Sequence, residues 1–343
     1  MNVSKWGTLD KDKLFLDGSL SSEAEKSVFK RMVDNSSFIG VESSMQQLND
    51  QVIIVQVLVG VFLCINTMLI ITFFMKDTFY RTMRYILFAV TLLSDCLILI
   101  LTDLLLILSY FRLSIQVSLC LIMFAVSSVC NFVTPFTLTA MTLERYVAIC
   151  MPLRHGELCS TRSAPHCILI IHGLSSVPCI LILSVFFASV SLSFFTQYRV
   201  CSVEMFILRS WQGHLRSAIS QFYFLIMCII IVFSYIQIMK VAKAASGENK
   251  KSTHKGLRTV ALHAFQLLLC LIQLWCPFIE AAVLQIDFML YVNVRYFNYI
   301  MFSLTPRCLS PLIYGLRDDK FFLALRYHVL CHLHRKKSVG VSN

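Results

Sequence analysis

Asp95, Asp103, Glu144, Arg145, Glu280 and Arg307 stand inside or at the edge of long apolar stretches. A charge in an apolar medium is neutralised, paired or drawn toward water, so these positions mark pairing, switching or ligand contact. Catalysis needs other constellations. The sequence offers no nucleophile beside a base, no CxxC and no Cys/His metal spacing. The expectation is therefore no enzyme activity, no metal and no cofactor. Most of the 14 Cys, among them Cys64, Cys96, Cys130, Cys179, Cys228 and Cys270, lie within apolar runs, where a thiol acts as a small hydrophobe.

The elements that must position these charges are long and greasy. Of 343 residues, 57% are hydrophobic and 14% charged, with a mean hydropathy of +0.73; soluble domains carry about 25% charged residues. A bilayer core about 30 Å thick takes roughly 20 helical residues to cross. Seven runs fit: Val52–Met75, Tyr85–Ser109, Leu119–Ile149, Cys167–Val190, Ile219–Met239, Val260–Leu284 and Phe297–Leu316. Backbone in lipid must satisfy its own hydrogen bonds, so these runs are helices. The predicted fold class is an all-α membrane protein, a seven-transmembrane helix bundle. Phe321, Phe322, Leu325 and Val329 recur at helical spacing around Lys320 and Arg326, predicting a short amphipathic eighth helix on the inner leaflet. Residues 1–50 form an N-terminal segment without the pattern of a cleaved signal, 51–316 the bundle, and 317–343 the amphipathic helix and a basic tail.

The net charge of +11 does not predict a nucleic-acid partner, because the basic residues lie between apolar runs rather than on one face. They gather on the first, third and fifth connections and the tail, whereas the opposite connections hold Arg112, Arg199, Arg209, Arg216 and Arg295. The positive-inside rule then puts the N-terminus outside. Two sequons, at Asn2 and Asn35, fall on that outer side as glycosylation acceptors. Cys331 follows the amphipathic helix, where palmitate and a free thiol remain alternatives. Arg335, Lys336 and Lys337 suit anionic headgroups of membrane lipid.

The stretch MTLERYVAICMPLRH, residues 141–155, resembles the MAxDRYVAICxPLRY signature of the odorant receptors, a branch of the rhodopsin-like G-protein-coupled receptors. SPLIYGLRD, Ser310–Asp318, resembles the NPxIYxLRN segment of the same family. Asn66, Asp95, Ser234, Tyr235 and Pro277 agree with single family positions, so the resemblance spans roughly residues 50–330. Departures are Trp275 where odorant receptors have Tyr or Phe, Ser310 in place of Asn, and a second outer loop with one Cys instead of three. The fourth helix also lacks the usual Trp, and the N-terminal segment is long. These point to a divergent, fish-type branch.

The resemblance implies roles. Glu144, Arg145 and Tyr146 form the activation switch, Arg145 leaving Glu144 for the G protein and Tyr235; a merely snorkelling Arg145 is the alternative. Pro277, beside Trp275, hinges the sixth helix, and Ser310, Pro311 and Tyr314 complete the switch in the seventh. Cys120, twenty-five residues before Arg145, takes the family position for a disulfide to Cys201. Family geometry sets Arg307 beside Asp95, so an intramembrane ion pair is expected where relatives hold sodium; Arg307 snorkelling or lining the cavity alone is the alternative.

Ligands of this family sit in the outward half of the bundle. The third helix would contribute Phe124, Ser127, Ser128, Asn131 and Phe132, and the fifth Ile219 and Tyr223. Trp275, Phe278, Ile279 and Ala282 would come from the sixth, with Ile300, Ser303 and Leu304 from the seventh. The lining is apolar with a few hydroxyl and amide groups, as small organic molecules require. Ser127 stands where amine receptors carry Asp, and the seventh helix has no Lys for a retinal Schiff base. The expected function is an odorant receptor at the plasma membrane of olfactory sensory neurons, its partners a small-molecule ligand and a heterotrimeric G protein of the olfactory stimulatory type. The alternatives are a non-olfactory receptor and a seven-helix transporter or channel; the latter usually carries internally repeated halves, which this sequence lacks.

Overall fold

The computed structural model describes residues 38–201, 203–206, 210–244, 250–309 and 321–327. The chain divides into two compact units, Met1–Val57 and Leu58–Asn343. Its long helices are α1 (Phe38–Phe74), α2 (Met83–Tyr110), α3 (Val117–Cys150), α4 (Ala164–Ser189), α5 (Ser210–Ala244), α6 (Lys250–Leu284) and α7 (Phe288–Asn298, continuing through a π-helical turn at Tyr299–Leu304 to residue 309). Among the described residues, α1 to α5 are long and apolar enough to cross a bilayer, and α6 carries a shorter apolar segment, Ala264–Gln273.

Several helices begin earlier than their apolar runs. α5 starts at Ser210 rather than Ile219, α6 at Lys250 rather than Val260, and α7 at Phe288 rather than Phe297. Apolarity marks only the part suited to lipid, whereas helical hydrogen bonding continues into polar flanks. At α7 the cause is local: Asp287 is an N-cap whose carboxylate accepts from Leu290 N at 2.7 Å.

Several hydroxyl side chains within the apolar helices are satisfied by their own helix. Thr91, Thr137, Thr142, Ser175 and Ser234 each donate to the carbonyl four residues earlier. That bond removes the penalty of an orphaned donor where water is absent.

Among the described residues, three apolar clusters hold the second unit. Near the Glu144 end, Leu69 and Phe73 of α1 join Leu87, Phe88 and Leu92 of α2, with Val133, Leu138 and Met141 of α3 and Ile171 of α4. Cys120, Phe124, Ile182, Phe186 and Phe206 pack at the opposite end. Met227 and Ile231 of α5 meet Leu267 and Leu271 of α6. At the Cys120 end a two-stranded antiparallel ladder pairs β1 (Ser114–Gln116) with β2 (Tyr198–Val200), Ile115 opposite Arg199.

The described part of the expected amphipathic helix, Phe321–Tyr327, corrects one expectation. Phe321 does not lie on a lipid surface; it is fully buried, its ring 5.1 Å from Phe79 and 5.6 Å from Phe88. Ala324 is buried with it, while Phe322, Leu323 and Tyr327 are exposed. An aromatic slot left by Phe79, Tyr85 and Phe88 outcompetes the bilayer for this side chain, since packed ring pairs contribute about 0.5–1.5 kcal/mol each. Val329, Cys331, the basic tail and the sequons Asn2 and Asn35 lie outside the described residues.

Candidate functional site

The intramembrane charges meet in a polar core shared by α2, α3, α6 and α7. Asp95 is fully buried on α2, and Thr134 Oγ1 of α3 donates to its Oδ1 at 2.9 Å. Arg307, 5% exposed, brings Nε within 3.9 Å of the same oxygen. The guanidinium's hydrogen bonds go elsewhere. Nη2 donates to Asn131 Oδ1 at 2.9 Å, and Nη1 to Ser303 Oγ at 2.9 Å and to the Ser303 carbonyl. Arg307 therefore contacts Asp95 electrostatically while its geometry is fixed by Asn131 and Ser303. A guanidinium here compensates the carboxylate, so the donor set does not suit the sodium ion that the family resemblance implies.

α6 braces this core through two amides absent from the sequence expectation. Gln266, fully buried, donates from Nε2 to the Pro306 carbonyl at 2.8 Å, and Gln273 Nε2 to Ser303 Oγ at 3.3 Å. Seven residues separate them, which is two helical turns, so both face α7. The next position of that stripe is Glu280, whose Oε1 accepts from Asn298 Nδ2 at 3.0 Å. The signal was present as Gln/Gln/Glu at a period of seven inside an apolar run. α7 adapts locally through its π turn, where Thr305 Oγ1 donates to the Ile300 carbonyl at 2.8 Å. Such turns concentrate at functional segments.

At the other end of α3, Glu144 is 7% exposed and holds two cationic or potentially cationic groups. Arg145 Nε lies 3.9 Å from Oε2, and His155 Nε2 lies 3.2 Å from Oε1. His155 belongs to the two-turn helix Pro152–Leu158, so this acid ties α3 to the connection that follows it. His155 is the last residue of the stretch MTLERYVAICMPLRH, and its type and spacing alone do not reveal this contact. Tyr146 packs against Phe233 of α5 at 5.6 Å, and Tyr235 is exposed. Beside them Cys159 has its thiol pushed up, first by burial and then by the charge of Glu144. Ser310, Pro311 and Tyr314 lie outside the described residues, as does the side chain of Pro277.

The expected ligand-contact residues separate into three groups. Phe124 stacks on Phe206 at 4.8 Å, and Phe132 meets Tyr223 edge-on at 6.0 Å, with Ser128 buried and Ser127 half-buried near them in sequence. Tyr223 reaches across to α4, donating to the Leu174 carbonyl at 3.1 Å. Asn131 and Ser303 belong to the polar core, with Leu304 buried and Ile300 half-buried on the π turn. Ile219 stands apart from all three and lines a groove between α4 and α5. The third group continues the stripe begun by buried Leu267 and Leu271: Trp275, Phe278 and Ile279 are 49%, 41% and 45% exposed, and Ala282 is exposed too. α5 covers the stripe at Leu267 and Leu271. One turn further on, these large apolar side chains are exposed.

Above this region a disulfide joins Cys120 at the start of α3 to Cys201, directly after β2, with Cα atoms 5.6 Å apart. It fixes the connection between α4 and α5 over the end of the bundle, and Arg199 lies over the Phe194 ring at 4.8 Å.

Comparison with known proteins accords with this geometry. Residues 65–314 match the family model of the seven-transmembrane receptors of the rhodopsin family. Odorant receptor 131-2 of Danio rerio is 43% identical over 300 residues, covering 88% of this chain and 92% of the relative. Galanin receptor 2a of Danio rerio is 26% identical over 54% of this chain and 51% of its own length, and galanin receptor 2b is 25% identical over 60% and 54%. Members of the family are receptors rather than enzymes. With a disulfide at one end, a Glu-Arg-Tyr motif at the other and a charged core between them, the chain belongs to the rhodopsin family of G-protein-coupled receptors and, within it, to the odorant receptors.

Proposed function

We propose that this chain is an odorant receptor that takes a small organic ligand into the half of the bundle nearer Cys120 and transmits its binding to a heterotrimeric G protein at the Glu144 end. The N-terminus is outside, and the G protein is of the olfactory stimulatory type in sensory neurons. What supports the site is the uncovered apolar stripe Trp275, Phe278, Ile279 and Ala282, bordered on the α7 side by the Glu280–Asn298 pair. Apolar area with a few directed polar groups is the character of a small-molecule pocket. Beneath the stripe, the polar core couples α6 to α7 and α3 through Gln273, Ser303, Arg307 and Asn131. A ligand that binds one arrangement of these helices better than another shifts their populations.

The test is a cAMP assay in cells expressing the receptor with the olfactory G protein, screened with amino acids, bile-derived compounds and water-borne organics. The expected result is a ligand whose response is abolished by Arg145→Ala and right-shifted at least roughly tenfold by Phe278→Ala, as loss of a ring that the ligand covers predicts. Ligand-dependent current or uptake that survives Arg145→Ala would overturn the reading.

A further inference from the structure

Between α4 and α5, toward the disulfide end, lies an open groove with about 230 Å³ of empty volume. Its walls are of two kinds. Leu181 and Ile182 of α4 and Leu215 of α5 give it an apolar floor, and Trp211, Gln212 and Arg216 line it from the first two turns of α5. Ile182 is buried and seals the floor against the Cys120–Phe186 cluster, while Leu181, Leu215 and Trp211 are exposed. The apolar run of α5 begins at Ile219. Trp211, Gln212 and Arg216 all precede it, Arg216 by three residues, about 4.5 Å of helix rise. The polar side of the groove is thus at headgroup depth, where Trp is enriched and an Arg stem reaches phosphate. The floor lies at the depth of acyl chains.

A groove with this polarity fits an amphiphile, and a guanidinium at its mouth selects the sign of the headgroup, since its planar fork pairs with phosphate oxygens. We propose that the α4–α5 groove is a binding site for an anionic membrane phospholipid, one acyl chain lying along Leu181, Ile182 and Leu215 and the phosphate resting on Arg216. The site faces the bilayer and is separate from the ligand region bordered by Trp275 and Glu280. A lipid seated there wedges α5 against α4 beside the Tyr223–Leu174 bond, on the helix that also covers Leu267 and Leu271.

The test uses the full-length receptor in vesicles doped with phosphatidylglycerol or phosphatidylcholine carrying a photoactivatable acyl chain, followed by peptide mapping of the labelled sites. Phosphatidylglycerol should label the Leu181 and Leu215 peptides roughly fivefold more than phosphatidylcholine, the effect of one cation near a phosphate. Arg216→Gln should reduce its labelling to the phosphatidylcholine level. Leu215→Trp, which fills the floor, should reduce it with Arg216 in place. Retention of the Cys120–Cys201 disulfide reports folding, and if either variant fails that check, the comparison of the two lipids on the unaltered receptor decides. Equal labelling by both lipids, or labelling indifferent to Arg216→Gln in folded protein, overturns the proposal.

Discussion

Replacing Arg307 with Leu removes the cation from a core where Asp95 is fully buried. At 3.9 Å the Nε–Oδ1 contact corresponds to about 4 kcal/mol of Coulomb attraction at an effective dielectric of about 20. The substitution also strands Asn131 and Ser303, whose bonds to the guanidinium contribute roughly 1.5–3 kcal/mol each in net terms. Leaving one member of a buried pair uncompensated costs about 3–5 kcal/mol in net terms. Arg307→Leu should therefore lose most of its surface expression, and purified protein in nanodiscs should unfold at distinctly lower temperature. Asp95→Leu alone should behave similarly, because it leaves the guanidinium uncompensated. The double change to Leu at both positions restores neutrality, and its loss should fall short of the sum of the singles by about 1–3 kcal/mol. Thr134→Val serves as the control that removes only a hydroxyl from Asp95. Strict additivity of the two single losses, measured by thermal unfolding, would refute the pairing. Because Arg307 supplies the cation, exchanging sodium for choline should leave the unfolding temperature unchanged, and a sodium-dependent rise would refute that part separately.

Other positions give shorter tests. Phe321→Ala should destabilise the receptor by about 3–5 kcal/mol, whereas exposed Phe322→Ala should change it little, as read by surface abundance and thermal unfolding. Cys201→Ser should free the thiol of Cys120 and lower stability by about 2–5 kcal/mol, checked by thiol counting under denaturing, non-reducing conditions. The Cys159 thiol, held above its ordinary pKa by burial and by Glu144, should react slowly with maleimide near neutral pH. Raising the pH should speed that reaction, and Glu144→Gln should speed it modestly, which quantitative labelling would register.

The architecture was legible in the sequence because the bilayer imposes a length rule that apolar runs report directly. The ends of the helices were less so: α5 and α6 extend into polar flanks that hydropathy cannot distinguish from loop. The Asp95–Arg307 contact was foreseeable, since two opposite charges in lipid must find each other. Its scaffold was not, because whether Asn131 faces a ligand or a guanidinium depends on where α7 places Arg307. The polar stripe of Gln266, Gln273 and Glu280 was visible as a repeat, but the partner it serves came only with the packing of α6 on α7. Phe321 read as lipid-facing because its spacing is equally that of a buried side; the slot formed by Phe79, Tyr85 and Phe88 comes from residues more than two hundred positions away.

The π turn at Tyr299–Leu304 has a consequence for the bearing of everything beyond it. Asn298 and Arg307 stand nine positions apart, which in an uninterrupted α-helix is a half-rotation, about 180°. One of them would then have to turn its back on the bundle. A wide turn absorbs about one extra residue and trims that angle to roughly 80°. The seventh helix thereby works as a twisted strip with two compass headings, one aimed at Glu280 on α6 and the other at Asp95 and Asn131 on α2 and α3. Removing a single residue between 299 and 304 would spin one heading away from its target while leaving every other amino acid unchanged.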